Sequence, residues 1–261
     1  MPAAIKQLVV LRRRAGQTTQ EFFDHHYQKH GALSDPSAPE ETPLTYYQTH
    51  FFDAAYNNTS LAQPAWTGHN DATELYFDNE AHVGRVFGST YVRNVIGPDG
   101  ANFNDFAATI AMFTQEQLIS GSASVEQGVE QAIVAMYYLQ ARDTTADVSK
   151  TFPEHVHPLI AQCFGDVSVK VVANVALPDP HNQLKYFQAE AAPSYSVAYQ
   201  VYLRDKGQIP AFRQAQKKLE ESVDGSLVKT ESAFVVFGVR SVVFDQAQSI
   251  KFDVSRQPRL P

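Results

Sequence analysis

Apolar and polar positions along this chain follow two periods, and their alternation predicts its elements. Runs rich in Val, Ile, Tyr and Phe at residues 5–13, 44–52, 70–77 and 109–113 are β-branched or aromatic and bounded by turn residues, so they read as strands. Between the first two, Thr18 or Thr19 can cap a helix that places Phe22, Phe23, His26 and Tyr27 on one face. A second helix is expected after Asp78, turning Val83, Val86, Phe87 and Tyr91 inward and stopping before Gly97-Pro98. The order is βαββαβ.

The plan returns when the sequence is shifted by 126 residues. Leu8-Val9-Val10-Leu11 falls on Val134-Ala135-Met136-Tyr137, Thr18-Thr19 on Thr144-Thr145, Leu33 on Leu159, and the run from Glu74 to Asp78 on that from Gln200 to Arg204. Residues 46–52 land on 172–178, a stretch of alternating valines. The fold class expected is α+β: two tandem ferredoxin-like units whose antiparallel sheets cover each other and close a barrel, with the helices outside. Residues 1–119 form the first unit and 131–261 a degenerate second one. The Gln-, Ser- and Gly-rich stretch from Thr114 to Glu130 reads as linker, with 120–130 as its centre.

Composition narrows the function classes. With 44% hydrophobic and 19% charged residues the chain is globular. A net charge of −7 with scattered Lys and Arg gives no footprint for nucleic acid. Cys163 is the single cysteine, which excludes an intrachain disulfide and a multi-cysteine zinc site and fits a reducing, cytoplasmic compartment. No apolar run approaches the roughly 20 residues of a membrane helix, and the N-terminus lacks the order of a signal peptide. Neither a GxGxxG nor a GxxxxGK[ST] run occurs, so no nucleotide cofactor is expected.

Several short motifs in order then carry a family resemblance. Val9-Val10-Leu11-Arg12-Arg13, Gly16, Thr18 to Phe22, His26-Tyr27 and His30-Gly31-Ala32-Leu33 resemble the opening signature of EthD-domain proteins, a branch of the dimeric α+β barrel superfamily. Ala72 to Asp78 looks like the family's third strand, and Gly97-Pro98-Asp99 with Asn102-Phe103 like the turn before its last. The likeness covers about residues 5–119. It implies a barrel with a small-molecule cavity and, from fungal relatives, chemistry without cofactor on aromatic polyketides, such as decarboxylation. Oxygenases without cofactor, haem proteins and cyclases of the superfamily keep other reactions open, and the resemblance leaves room for a homodimer.

Of the nine histidines, six lie in the first half. Strand alternation puts Tyr46, Gln48 and His50 on one face, and Glu74 and Tyr76 on one face of the next strand, so the five are expected to share the cavity wall. An imidazole beside a carboxylate can move a proton near neutral pH. His50 supported by Glu74 is therefore the expected acid or base, with His30, which carries the family's histidine, at the barrel mouth. Tyr46, Gln48, Tyr76, Trp66 and Arg13 are expected to bind an aromatic, hydrophobic substrate. The competing readings are an ion pair of Glu74 with Arg12 or Arg13, a packing role for Trp66, and charge pairing of His30 at its helix end. No metal motif is present. At the 126-residue offset His30, His50 and Glu74 meet Val156, Ala176 and Gln200, which predicts one working cavity per chain unless a one-residue slip brings His155 or His157, which flank Val156, to the His30 position. The expected activity is a lyase acting by proton transfer, with oxygenase, dehydratase, cyclase or plain ligand-binding barrel as rivals.

Overall fold

The computed structural model describes residues 4–34, 38–52, 68–121, 131–143, 147–178 and 194–261. Among the described residues eight strands and four main helices follow in the order β1 (Ile5–Leu11), α1 (Thr19–Asp24), β2 (Thr45–Phe52), β3 (Asp71–Phe77), α2 (Glu80–Gly88), β4 (Ile110–Gly121), β5 (Ala132–Ala141), α3 (His157–Phe164), β6 (Lys170–Ala176), β7 (Val197–Leu203), α4 (Ile209–Ser222) and β8 (Val228–Asp245). All strand pairs are antiparallel and the sheet closes on itself in the order β1-β3-β2-β8-β5-β7-β6-β4. Closure leaves no edge strand to be protected. No described helix is long and apolar enough to cross a membrane.

The halves meet at two seams, β2 on β8 and β4 on β6. The second seam corrects the linker expected at 114–130. Thr114 to Gly121 is strand, because β4 runs past its own half to pair with β6. Residues 122–130 lie outside the described residues. At the first seam Gly238 is required by space, since a Cβ there would stand 2.6 Å from Thr49 Cγ2 and 2.8 Å from the His50 carbonyl oxygen. The expected stop at Gly97-Pro98 is also displaced. A π-helical segment, Val92–Ile96, runs on into a turn at Gly97–Asp99, where Pro98 sits in a first turn that needs no N–H from it.

Register refines the internal repeat. β3 and β7 keep the 126-residue spacing end for end. Leu8 faces Glu74, however, and Met136 faces Gln200, so β5 is displaced by two residues from the ungapped offset. Likewise Tyr46 faces Leu75 and Val171 faces Val201, so His50 corresponds to Val175, not Ala176.

Each strand turns alternate residues into the barrel and out towards the helices. The interior is packed. Leu8, Val10, Met136, Tyr138, Phe234 and Val236 form its apolar part. Glu74 forms the polar part: Lys6 Nζ lies 2.7 Å from its Oε2, and Arg240 donates to both carboxylate oxygens at 2.8 and 3.1 Å. Lys6 also reaches Gln200 Oε1 (2.7 Å) and Glu116 Oε2 (3.1 Å), and the Arg240 guanidinium lies 3.5 Å above the Tyr47 ring. Burial would raise the Glu74 carboxyl, but the charges of Arg240 and Lys6 outweigh it and hold the group well below the usual carboxylate range.

Glu74 thus bolts β3 to β1 of its own half and to β8 of the other. Breaking a buried ion pair costs about 3–5 kcal/mol, so Glu74→Gln should lower the urea midpoint at pH 7 substantially. The folded-state value lies below the ordinary 4.5. The wild-type contribution is therefore complete above that pH and lost as pH falls further below it. Urea titrations from pH 7 to 3 should show wild type and variant converging; curves that stay parallel would refute the assignment.

Candidate functional site

The site begins with the cap of α1. Thr18 accepts from the Glu21 N–H (3.2 Å) while the Glu21 carboxylate accepts from the Thr18 N–H (2.7 Å), a reciprocal capping box. After Asp24 the helix widens to a π-helical segment, His25–His30, in which the Gly31 N–H donates to the His26 carbonyl five residues back. This winding brings residues five apart to one side. His25 Nε2 and His30 Nδ1 each lie 2.9 Å from one oxygen of Asp99.

His26 points inward and is buried. Its Nδ1 lies 2.6 Å from Asp71 Oδ2, and its Nε2 stands 3.1 Å from the Tyr46 hydroxyl and 3.3 Å from Thr73 Oγ1. A carboxylate only accepts, so the hydrogen bonds assign the ring proton to Nδ1 and leave the Nε2 lone pair towards the hydroxyls. Gln48 Nε2 donates to the Tyr46 oxygen (2.6 Å) and to the His26 carbonyl (3.0 Å). Burial raises the Asp71 carboxyl against the opposing pull of His26. Burial, then the Asp71 charge, pushes the Tyr46 phenol far up, so it is a proton donor.

These groups border a cavity of about 110 Å³ between the outer face of β1 and β3 and the covering helices. Gln7, His26, His30, Thr73 and Asn104 are its polar lining, and Phe87 and Phe103 belong to its apolar wall. A second compartment of about 80 Å³ shares His30, Thr73 and Phe87 and reaches Tyr46. In the other half Phe152, Ile160, Phe164 and Phe212 fill the helix layer and are fully buried. His157 is edge-on to Tyr199 there, and burial pushes its imidazole down to about 4.

The expected residues divide by face. Tyr46, Gln48, His50 and His30 do belong to one layer, but it is the layer under the helices. Glu74 and Tyr76 face the opposite way, into the packed barrel, because Glu74 lies across from Tyr47 and His50 across from Asp71. A one-residue error of register exchanges the two faces. The pairing of His50 with Glu74 is thereby corrected, as is that of Glu74 with Arg12 or Arg13: Arg12 pairs with Asp105, and Arg13 donates to the Gln17 carbonyl and does not line the cavity. Tyr76 donates to Glu116 at 2.8 Å. Trp66 lies outside the described residues.

His50 also stands behind the cavity wall. It stacks on Phe23 at 4.1 Å and meets Gln48 Oε1 through Nε2 at 3.1 Å. Its Nδ1 has no hydrogen-bond partner among the described residues. Burial, then His26, holds its imidazole well below the usual value, so it is neutral at pH 7. The sequence reading missed His26, Asp71, Thr73, Gln7 and Asp99. No local signal marked Asp71, whose place opposite His50 is set by strand register; the signal for His26 was its place on one helical face with Phe22 and Phe23. Among the described residues no group of three or more His, Cys, Asp or Glu side chains is placed to hold a metal ion.

Burial lowers His30, and the hydrogen bond it donates to Asp99 raises it in part. Asp99→Asn should therefore move the His30 titration further down, read from its ring proton shifts by NMR. An upward movement would contradict the geometry.

The family model for the EthD domain matches residues 14–107. Among solved structures the chain is similar to an anthrone oxidase-like protein, at 9% identity over 94% of this chain and 95% of that one, with a TM-score of 0.57. It is also similar to a putative monooxygenase from Fusobacterium nucleatum subsp. nucleatum, at 8% identity over 92% and 94%, with a TM-score of 0.51. At such identities the likeness is one of fold. No curated protein matches the sequence. Residues 14–107, which carry every group around the His26 cavity except Gln7, Val9, Leu11 and Phe244, match the EthD-domain model and are set in an eight-stranded antiparallel barrel.

Proposed function

We propose that the chain is a small-molecule enzyme that moves protons in the helix–sheet cavity of its first half. The observation that carries this is the Asp71–His26 pair, with Nδ1 fixed on a buried carboxylate and Nε2 directed to the cavity wall beside two hydroxyls. Such an arrangement sets the tautomer and stabilises the imidazolium that forms when Nε2 takes a proton. The Tyr46 hydroxyl, itself held by Gln48, is the group placed to return one. In the lyase form of the reading, His26 removes or delivers a proton on an aromatic or polyketide-type molecule as water or carbon dioxide leaves. Two tandem ferredoxin-like units of unequal content, β4-β1-β3-β2 and β8-β5-β7-β6, describe the scaffold. The barrel closes within one chain and needs no second copy for that.

A second reading is favoured by the printed names of the fold neighbours, an anthrone oxidase-like protein and a monooxygenase. The same base would draw a proton from an acidic carbon, whose carbanion then passes electrons to dioxygen. Compartments of about 110 and 80 Å³ leave no space for a porphyrin while the helices stay in place.

The dehydration form of the first reading and the oxygenase reading both begin with proton removal by His26, and that step has a direct test. Aromatic ketones and phenols incubated with the protein in D₂O should gain deuterium at the acidic carbon, read by mass spectrometry. His26→Ala should slow the exchange by about 10²–10⁴-fold, the usual weight of a general base. Release of water would identify the lyase form and oxygen uptake the oxygenase form. Exchange at an equal rate in His26→Ala would overturn the proposal.

A further inference from the structure

One polar group in the cavity wall has no partner. Gln7 lies on β1 with its side chain turned out under the helices, buried to 1% exposure, and lines the larger compartment. Its amide Nε2 has no hydrogen-bond partner among the described residues. A buried amide left unsatisfied costs on the order of 1–3 kcal/mol, and in a strand whose outward neighbours are Val9 and Leu11 an apolar residue would avoid that cost.

Three further observations limit what such a donor would meet. No lysine or arginine is among the described residues lining either compartment, so a carboxylate would enter without a cationic partner. The charged side chain nearest in kind, Glu41, has the wrong sign for one. Second, the remaining wall is largely aromatic and aliphatic, with Phe87, Phe103 and Phe106 around the larger compartment, and its other amide, Asn104, is engaged with Thr109. Third, the space is small. Compartments of about 110 and 80 Å³ are of the order of a single ring, since an apolar cavity of about 150 Å³ takes one benzene.

Position relative to the base completes the case. Gln7 faces Leu75 across the β1–β3 ladder, so Thr73 is its diagonal neighbour, roughly 7–8 Å away. Thr73 Oγ1 in turn touches His26 Nε2. A ring whose oxygen sits on Gln7 would span this distance and present a carbon or hydroxyl near His26.

We propose that Gln7 is a substrate-binding and specificity-determining residue, donating to the carbonyl or phenolic oxygen of a neutral, one-ring aromatic ketone or phenol, and that carboxylates and multi-ring molecules are excluded. The proposal rests on the cavity named above but not on turnover there. It turns the lyase expectation away from decarboxylation, which requires a carboxylate to be seated, and towards dehydration, tautomerisation or oxygenation of a neutral molecule.

Calorimetry and infrared spectroscopy on the full chain test it with three probes of similar shape: acetophenone, ethylbenzene and benzoate. Wild-type protein should bind acetophenone more tightly than benzoate, and the ¹³C-labelled carbonyl stretch should shift down on binding. Gln7→Leu should weaken acetophenone about tenfold, the weight of one hydrogen bond. It should also abolish the carbonyl shift and leave ethylbenzene unchanged or tighter. An equal loss for acetophenone and ethylbenzene would show a packing role and overturn the proposal, as would benzoate binding as well as acetophenone or no probe binding at all. Should Gln7→Leu fail to fold, the wild-type ranking and the infrared shift decide alone, an unshifted band counting against it. His26→Asn separates the two claims. Retained acetophenone binding with the infrared shift upholds this proposal even where deuterium exchange fails, and an absent shift sinks it even where exchange proceeds.

Discussion

The constraint on which the rest depends is the pleat of a closed sheet. Each strand residue faces either the barrel interior or the helix layer, and register alone decides which. In this chain the interior took the fixed charges. Glu74, Lys6 and Arg240 saturate one another there and join three strands across the seam between the halves. Because each of these ions has its counter-ion, none is left to act on a substrate. The titratable groups with reach remaining, His26 and His30, lie on the other side of the same sheet.

That division explains how the strands and helices could be read from the sequence while Glu74 and Tyr76 were assigned to the wrong face of β3. Strand positions, the Thr18 cap and the face of Phe22, Phe23, His26 and Tyr27 follow from local chemistry, since propensity, capping and periodicity act within a few residues. The 126-residue spacing of β3 and β7 followed from the likeness of the two stretches, each of which keeps its pattern over several residues. Which residue of β3 lies opposite His50 is a tertiary fact, set by the register in which the two strands pair and not by any local signal in either. An assumed pairing one residue off was enough to substitute Glu74 for Asp71. The π-helical widening at His25–His30 was equally invisible, because a regular 3.6-residue turn does not bring His25 and His30 to one carboxylate.

The two halves share a frame and spend their helix layers differently. In the second half Phe152, Val156, Ile160, Phe164 and Phe212 interlock under α3 and α4, with Phe164 stacked on Phe212 at 4.9 Å. This is ordinary close packing, which leaves little space larger than a methyl group. In the first half the corresponding layer holds His26, His30 and Thr73 around open volume, with aromatic side chains at its margin. A cavity beside polar groups lowers stability, through lost dispersion contacts and through desolvation. The filled half and the ion pairs in the barrel are what hold the frame while the first half stays hollow.

The buried atoms without partners sharpen the same point. They occur in both halves, on His157 and Tyr199 as well as on Gln7, His50 and Asp71. Their surroundings differ. His157 and Tyr199 are set edge to face in packed surroundings, where contact with aromatic rings offsets part of the loss. His50 Nδ1 and Asp71 Oδ1 belong to groups whose other polar atoms are engaged with Gln48 and His26, so their partial satisfaction follows from holding those neighbours in place. Gln7 has neither excuse. It stands between Leu8 and Lys6 in sequence, both committed to the barrel, and its own side chain turns to the cavity with a free donor. A buried donor facing open volume is satisfied only by what enters that volume, and the lining admits an uncharged, oxygen-bearing ring more readily than an ion.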